Sequence, residues 1–447
     1  MQPYQLAIID QAIRRVLTCY DEKHSLLHSA DDRRFRVVQE SLAFAALLLS
    51  RASAGKTRHA EIGLARRLID SVLKLQNVKK GNPDHGGFPL VWMPARDQPV
   101  VMDPDSREMI GSLLALMLRN HPQLLGETRS QRILKAIKRT IRPPDQPPPG
   151  ISGKMVAAWL DIEFGDDWRG ERLATDIVLA GSDHFVESRF GNATVFAQEL
   201  WALSLWRRSS RLHDSVSELK RSIMDDINSY AHPELPELFG SVTTSASFLD
   251  NAYSWLGAWL TWHAHGSQPL LPGAMSDPLH ATRFAFPMLA KLKLGPDEET
   301  ESADASVERT LSYCHGGRSI TGWRESGLHI EARECSIPEG SRLPVAGARW
   351  ITRQGSSVWM RCRASRNETA VCRKRFVHLE NPGTTTVSVH NLGEGEARMI
   401  DNGWWLSGLH FATEGFQMVD AERTSHGLEL KLRPVGKRAL LMFSPLK

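Results

Sequence analysis

Apolar residues recur at helical spacing through the first two-thirds of the chain. In Tyr4–Cys19 they fall at Leu6, Ile9, Ile13, Val16 and Leu17, on one face of a 3.6-residue period. Arg33–Leu49 and Ile62–Leu75 repeat the pattern, with basic residues on the opposite face. The same spacing predicts helices over Ser106–Arg119, Ser130–Ile141, Gly153–Asp161, Gly170–Leu179, Ala193–Trp206, Asp214–Tyr230, Ser247–His263 and Ala281–Leu292. No strand-like alternation of any length is evident among them. The Pro-rich segment Arg142–Gly150 predicts a stiff loop, because consecutive prolines cannot continue a helix.

The texture changes after Pro296. Asp297–Ala305 is acidic and polar and predicts a linker over 296–305. Beyond it, short alternating stretches are punctuated by Gly and Pro: Ser319–Trp323, Gly327–Ala332, Ala348–Thr352, Ser357–Arg363, Arg375–Leu379, Thr384–Val389, Trp404–Phe411, Gly427–Leu432 and Arg438–Phe443. Asn381-Pro382-Gly383 and Asp401-Asn402-Gly403 supply turns, the second a strong hairpin signal. The expected organisation is therefore multidomain, α then β. Residues 1–295 form an α/α toroid, incomplete or of six hairpins, and carry the catalytic site; residues 306–447 form an antiparallel β-sandwich. An open solenoid is the rival for the helices, but no fixed-period repeat is visible.

A helical array followed by an antiparallel domain resembles the toroid-plus-sheet polysaccharide lyases of the alginate-lyase, chondroitin-lyase and heparinase II/III type. Gln76–Trp92 and Asp103–Gly111 also resemble the glycine-aromatic turn and acidic helix start of an uncharacterised bacterial and fungal toroid family. Phe190–Leu203 resembles that family's Asn-Ser-Pro-Thr-Tyr segment before a Leu-rich helix, reading Gly191-Asn192-Ala193-Thr194-Val195 here. These resemblances imply a carbohydrate-active enzyme, first a lyase cleaving uronic-acid-containing glycans by β-elimination. A toroidal glycoside hydrolase, a cyclase or isomerase of a small hydrophobic metabolite, and a non-catalytic glycan-binding protein are the alternatives.

Composition narrows this picture little. The chain has 447 residues, 41% hydrophobic and 24% charged, with a formal net charge of +4. This is ordinary for a globular chain of two domains and too modest to suggest a nucleic-acid partner. The 13 Trp against 5 Tyr suit either sugar-stacking platforms or, more commonly, core and domain-interface filling. Cys19, Cys314, Cys335, Cys362 and Cys372 show no CxxC or zinc spacing. The N-terminal residues lack a leader-like apolar run, and Leu42–Leu49 is too short to span a bilayer. The expectation is a cytoplasmic protein with no membrane partner, acting on a small molecule or oligosaccharide, without cofactor or metal. No phosphate-binding, dinucleotide, zinc-protease or nucleophile-elbow motif is present. Asn192-Ala193-Thr194 and Asn367-Glu368-Thr369 match glycosylation sequons.

The chain centres on Ser182–Trp206, where polar residues precede an apolar helix. A uronate lyase needs a group that neutralises the substrate carboxylate and a base for the adjacent proton. His184, Arg189 and Asn192 are of these types, and Tyr253 is the best acid or base further along. Asn192 also suits a helix cap, and Tyr253 also suits a core beside Trp255 and Trp259. Substrate-binding candidates are His85 and Trp92 around Gly86-Gly87, Asp103 and Asp105 before a helix, then Tyr230, His232 and Asp250. The bland readings are a tight turn for the first pair and a helix start for the carboxylates. His85, His184, Asn192 and Tyr253 are expected to converge on one cavity, because loops at one end of a toroid crowd round its axis. In the β region, Arg361, Arg363, Arg373, Lys374 and Arg375 could attract an acidic polymer or form a solvated face. His315-Gly316-Gly317-Arg318 and Trp404-Trp405 could reach toward the helices.

Overall fold

The computed structural model describes residues 2–175, 278–289 and 308–445, less short breaks, together with His232, Glu234, Leu235 and Trp259. The chain divides into two compact units, Met1–Met224 with Asp277–Lys293, and Asp225–Ser276 with Leu294–Lys447.

The first unit contains α1 (Pro3–Val16), α2 (Val38–Ala54), α3 (His59–Lys74), α4 (Ser106–Asn120), α5 (Pro122–Leu125), α6 (Glu127–Thr140), α7 (Ile151–Phe164) and α8 (Ala285–Leu289). The order of burial follows the sequence pattern. Helix α1 buries the stripe Ile8, Ile9, Ala12, Ile13 and Val16, and α6 buries Ile133, Ala136, Ile137 and Thr140. In α2, Leu42 through Ser50 is buried without interruption, as in a helix surrounded by others. It packs against α1, α3, α4 and α8.

The helical unit also contains strands, which the sequence reading did not expect. β1 (Tyr20–Asp21), β2 (Leu26–His28), β3 (Arg36–Val37), β4 (Pro89–Met93) and β5 (Gln98–Met102) form an antiparallel meander in that order. Strands of two to five residues are too short for a two-residue period to emerge from the helical pattern around them. For the same reason the helix expected from Arg33 begins only at Val38. The meander is two-faced. Leu27 is fully buried on the side that meets α2, and its backbone N–H donates to Ser41 Oγ at 2.9 Å. The helices expected over Ala193–Trp206 and Asp214–Tyr230 lie outside the described residues, as does that over Ser247–His263 except Trp259; over Gly170–Leu179 only residues 170, 172, 173 and 175 are described, and they are helical. The linker Asp297–Ala305 also lies outside them, and closure of a toroidal ring would depend on these segments.

The second unit is built on antiparallel sheets. Its strands are β6 (Arg309–His315), β7 (Arg318–Glu325), β8 (Leu328–Arg333), β9 (Ala346–Ile351), β10 (Ser357–Ala364), β11 (Thr369–Arg373), β12 (Phe376–Glu380), β13 (Thr385–His390), β14 (Ala397–Ile400), β15 (Gly403–Leu406), β16 (Leu409–Glu414), β17 (Phe416–Thr424), β18 (Gly427–Pro434) and β19 (Arg438–Pro445). One sheet runs β17-β18-β13-β10-β9-β8-β7-β6, the other β11-β12-β19-β16-β15-β14. A single apolar core draws on both, from Ile330, Met360 and Val387 of the first to Val377, Leu441 and Phe443 of the second. Asn381-Pro382-Gly383 carries the chain between the sheets, with Asn381 in the left-handed region at φ 46°. Ile400 pairs with Gly403, so a two-residue connection follows the Asp-Asn-Gly signal. The strand expected over Trp404–Phe411 is two strands, because Ser407 and Gly408 turn at φ 41° and 97°. Strand β17 is exposed almost throughout and has no buried stripe to reveal it.

Candidate functional site on the eight-stranded sheet

Strand β8 reads Leu328-His329-Ile330-Glu331-Ala332-Arg333, and all six residues are buried. Leu328, Ile330 and Ala332 enter the shared core. Successive side chains alternate between faces, so His329, Glu331 and Arg333 share the other face. A strand buried on both faces is normally apolar on both. Buried charge is the more informative observation.

Register extends this face across the sheet. Arg324, His329, Arg349, Trp359 and His390 lie directly opposite one another along β7, β8, β9, β10 and β13. One level along, Gly322, Glu331, Gly347, Arg361 and Ser388 form a parallel line. Glycines flank Glu331 on both neighbouring strands, so it is the sole side chain of β7–β9 at that level. Arg324, Arg349 and Arg361 are each at most 2% exposed.

The geometry joins these groups into pairs. His329 Nε2 lies 2.7 Å from Glu331 Oε1, which fixes the ring orientation. Arg349 Nη2 donates to Ser357 Oγ at 3.0 Å. The Arg361 guanidinium stacks 4.9 Å from the Trp359 ring centre, and the His390 ring lies 5.0 Å from the same centre. Burial, reinforced by Arg309, pushes the Arg324 guanidinium down to about 10. An imidazole oriented by a carboxylate can exchange a proton. Guanidinium groups beside it can bind a carboxylate or sulfate through paired N–H donors.

His232 packs edge-on against His329, with ring centres 6.2 Å apart. Its Nδ1 accepts from the backbone N–H groups of Glu234 and Leu235, both at 3.0 Å, and Nε2 donates to Glu325 O at 3.1 Å. Burial first, then His329, pushes its pKa down to about 3, so the ring is neutral. The expected substrate contact is replaced by a structural one, because both ring nitrogens are spent on the backbone. Glu234 extends the same anchor, accepting from Gly327 N at 2.6 Å and from Ser326 Oγ at 3.2 Å.

The other sequence candidates separate. His85 sits in the turn that follows α3, half-buried, and its Nδ1 has no hydrogen-bond partner. That turn is fastened to α6 through Gln76 Nε2, which donates to Gly86 O at 3.1 Å and Ala136 O at 3.0 Å. Arg107 adds bonds to Thr140 O and Arg139 O at 2.8 and 3.0 Å, closing the C-terminal carbonyls of α6. Trp92 lies on β4 in the small meander, beside His24. His85 and Trp92 thus lie in the first unit and His232 in the second. Asp103, Asp105, His184, Arg189, Asn192, Tyr230, Asp250 and Tyr253 lie outside the described residues, as does the expected convergence that depends on them.

The basic run in the β region divides. Arg361 is buried on the charged face and Arg363 half-buried, whereas Arg373, Lys374 and Arg375 are exposed at the β11–β12 turn. Arg375 pairs there with Glu325 at 2.8 Å. Asn367 of the second sequon is 2% exposed, which closes it to a glycan. The charged face went unread because its residues alternate with core positions, as solvated ones do. The available signal was repetition: β8, β9 and β10 each place an Arg on that face, Arg333, Arg349 and Arg361. Among the described residues no three His, Cys, Asp or Glu side chains gather as a metal site requires. None of the described helices is long and apolar enough to cross a membrane.

No protein-family profile and no curated protein sequence matches the chain. Among solved structures, endoglucanase Cel10 from Klebsiella pneumoniae, a family 8 glycosyl hydrolase, superposes with a TM-score of 0.41 at 12% identity, covering 63% of this chain and 99% of its own. The endo-β-1,4-glucanase CMCax from Acetobacter xylinum gives 0.40 at 10%, covering 64% and 98%. A chondroitinase AC lyase gives 0.36 at 9%, covering 98% of this chain and 80% of its own. Likeness at this level does not establish a shared fold or activity.

Proposed function

We propose that the chain is a carbohydrate-active enzyme that cleaves uronic-acid-containing glycans by β-elimination. The reading is supported by one observation: an imidazole–carboxylate pair, His329–Glu331, set among Arg324, Arg349 and Arg361 on a single sheet face. Elimination needs a cation that draws charge into the substrate carboxylate, acidifying the neighbouring C–H, and a base to take that proton. Arg349 and Arg361 suit the first role and His329, oriented by Glu331, the second. From the sequence, Asn192 and Arg189 are proposed as further carboxylate binders, and His184 and Tyr253 as proton-transfer groups.

Elimination leaves a conjugated double bond that absorbs in the near ultraviolet, and hydrolysis does not. Alginate, heparosan and chondroitin are to be incubated separately with the full chain. A rising absorbance with one of them is the expected result. New reducing ends without absorbance would replace the reading with hydrolysis, for which a pair of carboxylates is needed. No change with any of them would remove the uronate-lyase reading.

A further inference from the structure

The small meander of the first unit carries a second cluster that the proposed chemistry does not use. Asp21, Arg36 and Trp92 share the face of the meander opposite Leu27, because Asp21 pairs with Leu26, His28 with Arg36, and Arg36 with Trp92. His24, in the turn after β1, folds back over this face. Its Nδ1 lies 2.5 Å from Asp21 Oδ2, and its ring meets the Trp92 indole edge-on, with centres 5.9 Å apart.

Arg36 backs the pair. Its Nε donates to Asp21 Oδ2 at 2.7 Å, its Nη2 to the same oxygen, and its Nη1 to Arg33 O at 2.6 Å. Asp21 Oδ1 accepts from Lys23 N at 3.0 Å. Burial raises the Asp21 pKa, but the hydrogen bonds from His24 and Arg36 outweigh it and hold the carboxyl below its usual range. The carboxylate is therefore ionised and fully engaged, and it fixes His24. With Nδ1 engaged by Asp21, Nε2 is the ring nitrogen left for a ligand. Among the described residues, that nitrogen makes no hydrogen bond and no second ring or cation stacks on Trp92. Both residues are only half-buried.

We propose that His24 and Trp92 form a subsite for a pyranose ring, its C–H face on the indole and an edge hydroxyl on the imidazole, with Asp21 and Arg36 as positioning residues. The subsite deepens the carbohydrate reading above and rests on it. The electron-rich indole face attracts the axial C–H groups of a sugar, and Nε2 accepts a bond from a ring hydroxyl beside it. The guanidinium of Arg36 is already spent on Asp21 and Arg33, so the cluster recognises hydroxyls rather than a carboxylate. Neutral and acidic pyranosides are expected to bind alike.

The test is a titration of the full chain with methyl β-D-glucoside and with methyl β-D-glucuronoside, following the indole N–H resonance of Trp92, assigned by its loss in Trp92→Phe. The resonance is expected to move with both ligands, with affinities within about threefold of each other. Isothermal calorimetry should show His24→Ala and Trp92→Ala weakening binding about tenfold and Trp92→Phe less. Should His24→Ala fail to fold, His24→Gln, which keeps a polar group but not the dyad, carries the same expectation. A resonance that stays fixed at saturating glycoside would overturn the subsite, as would affinities unchanged in His24→Gln or Trp92→Phe. Binding by the glucuronoside alone would also overturn it. The elimination assay is read separately, so loss of the lyase reading leaves these outcomes intact.

Discussion

Replacing Gly86 with Ala decides between two meanings of the Asp84-His85-Gly86-Gly87 loop. Gly86 has φ +87°, and a Cβ built there would stand 1.8 Å from Arg139 O and 2.7 Å from Arg139 C. The obstacle is backbone at the end of α6, fixed by Arg107, so it cannot swing aside as a side chain would. The left-handed conformation alone costs an Ala about 1–2 kcal/mol. Displacing a packed carbonyl adds about 1–3 kcal/mol, by analogy with overpacked cores. A loss of about 3 kcal/mol should lower the melting temperature of this unit by about 6–12 °C. Gly81→Ala is the internal control, since it has φ +81° but nothing within 4 Å of the added Cβ. It should show only the conformational part. Differential scanning calorimetry of both variants gives the comparison. Equal losses would mean that the close approach to α6 carries no energy and would refute the packing argument. A Gly86→Ala chain with unchanged melting but lost glycan turnover would return the loop to a ligand-binding role.

Three further outcomes are expected. His329→Ala and Glu331→Gln should each reduce elimination by about 10²–10⁴-fold, the range for lost acid–base groups, with the second retaining a native circular dichroism spectrum; turnover within threefold of the parent would remove the pair from the chemistry. His232 has its folded pKa lowered from 6.5 to about 3, so its contribution to stability is present above pH 6.5 and lost as pH falls through 3. The difference between the parent and His232→Gln in urea unfolding should therefore shrink on acidification, by up to about 1.4 kcal/mol per pH unit. A flat difference would show that the ring is not buried neutral. Asp70 accepts from Arg129 at 2.8 Å and Arg132 at 2.9 Å at a partly exposed position. Asp70→Ala should cost at most about 1 kcal/mol in the same assay, because solvent screens such pairs.

The helices were legible wherever a long apolar stripe met a single partner face. α1 and α6 have such stripes, and their predicted spans overlap the observed ones closely. The meander was not legible, because Tyr20–Asp21 and Arg36–Val37 are too short to show a period. Their pairing joins residues far apart in sequence, such as Arg36 with Trp92. In the sheets, Asp401-Asn402-Gly403 revealed its hairpin through turn chemistry. Ser407-Gly408 hid its own because apolar residues continue on both sides of it. Trp92 was legible as an exposed-type aromatic near glycines. His24 was not, since its significance comes from Asp21 and from a ring contact across the meander, neither of which composition reports.

The two clusters differ in how firmly the fold holds them, and this difference suits different tasks. On the large sheet, His329, Glu331 and their arginines are almost wholly buried on strands paired on both sides. Low dielectric there strengthens each electrostatic contact, as proton transfer and carboxylate binding require. His232 and Glu234 are tied to the backbone of the same unit, Glu234 to Gly327 N. On the meander, His24 in the turn after β1 and Trp92 on β4 are half-buried, and Asp21 and Arg36 are spent on bonding. Such a site can admit a sugar ring without first expelling a buried charge, at the cost of weaker individual contacts. The difference in burial matches the proposed division into a chemical cluster and a recognition cluster. An Arg361→Lys chain makes that separation measurable. Arg361 stacks on Trp359 through a planar guanidinium that lysine cannot reproduce. Elimination should fall while glycoside binding at Trp92 stays unchanged, and a parallel loss of both would show that the two clusters act as one.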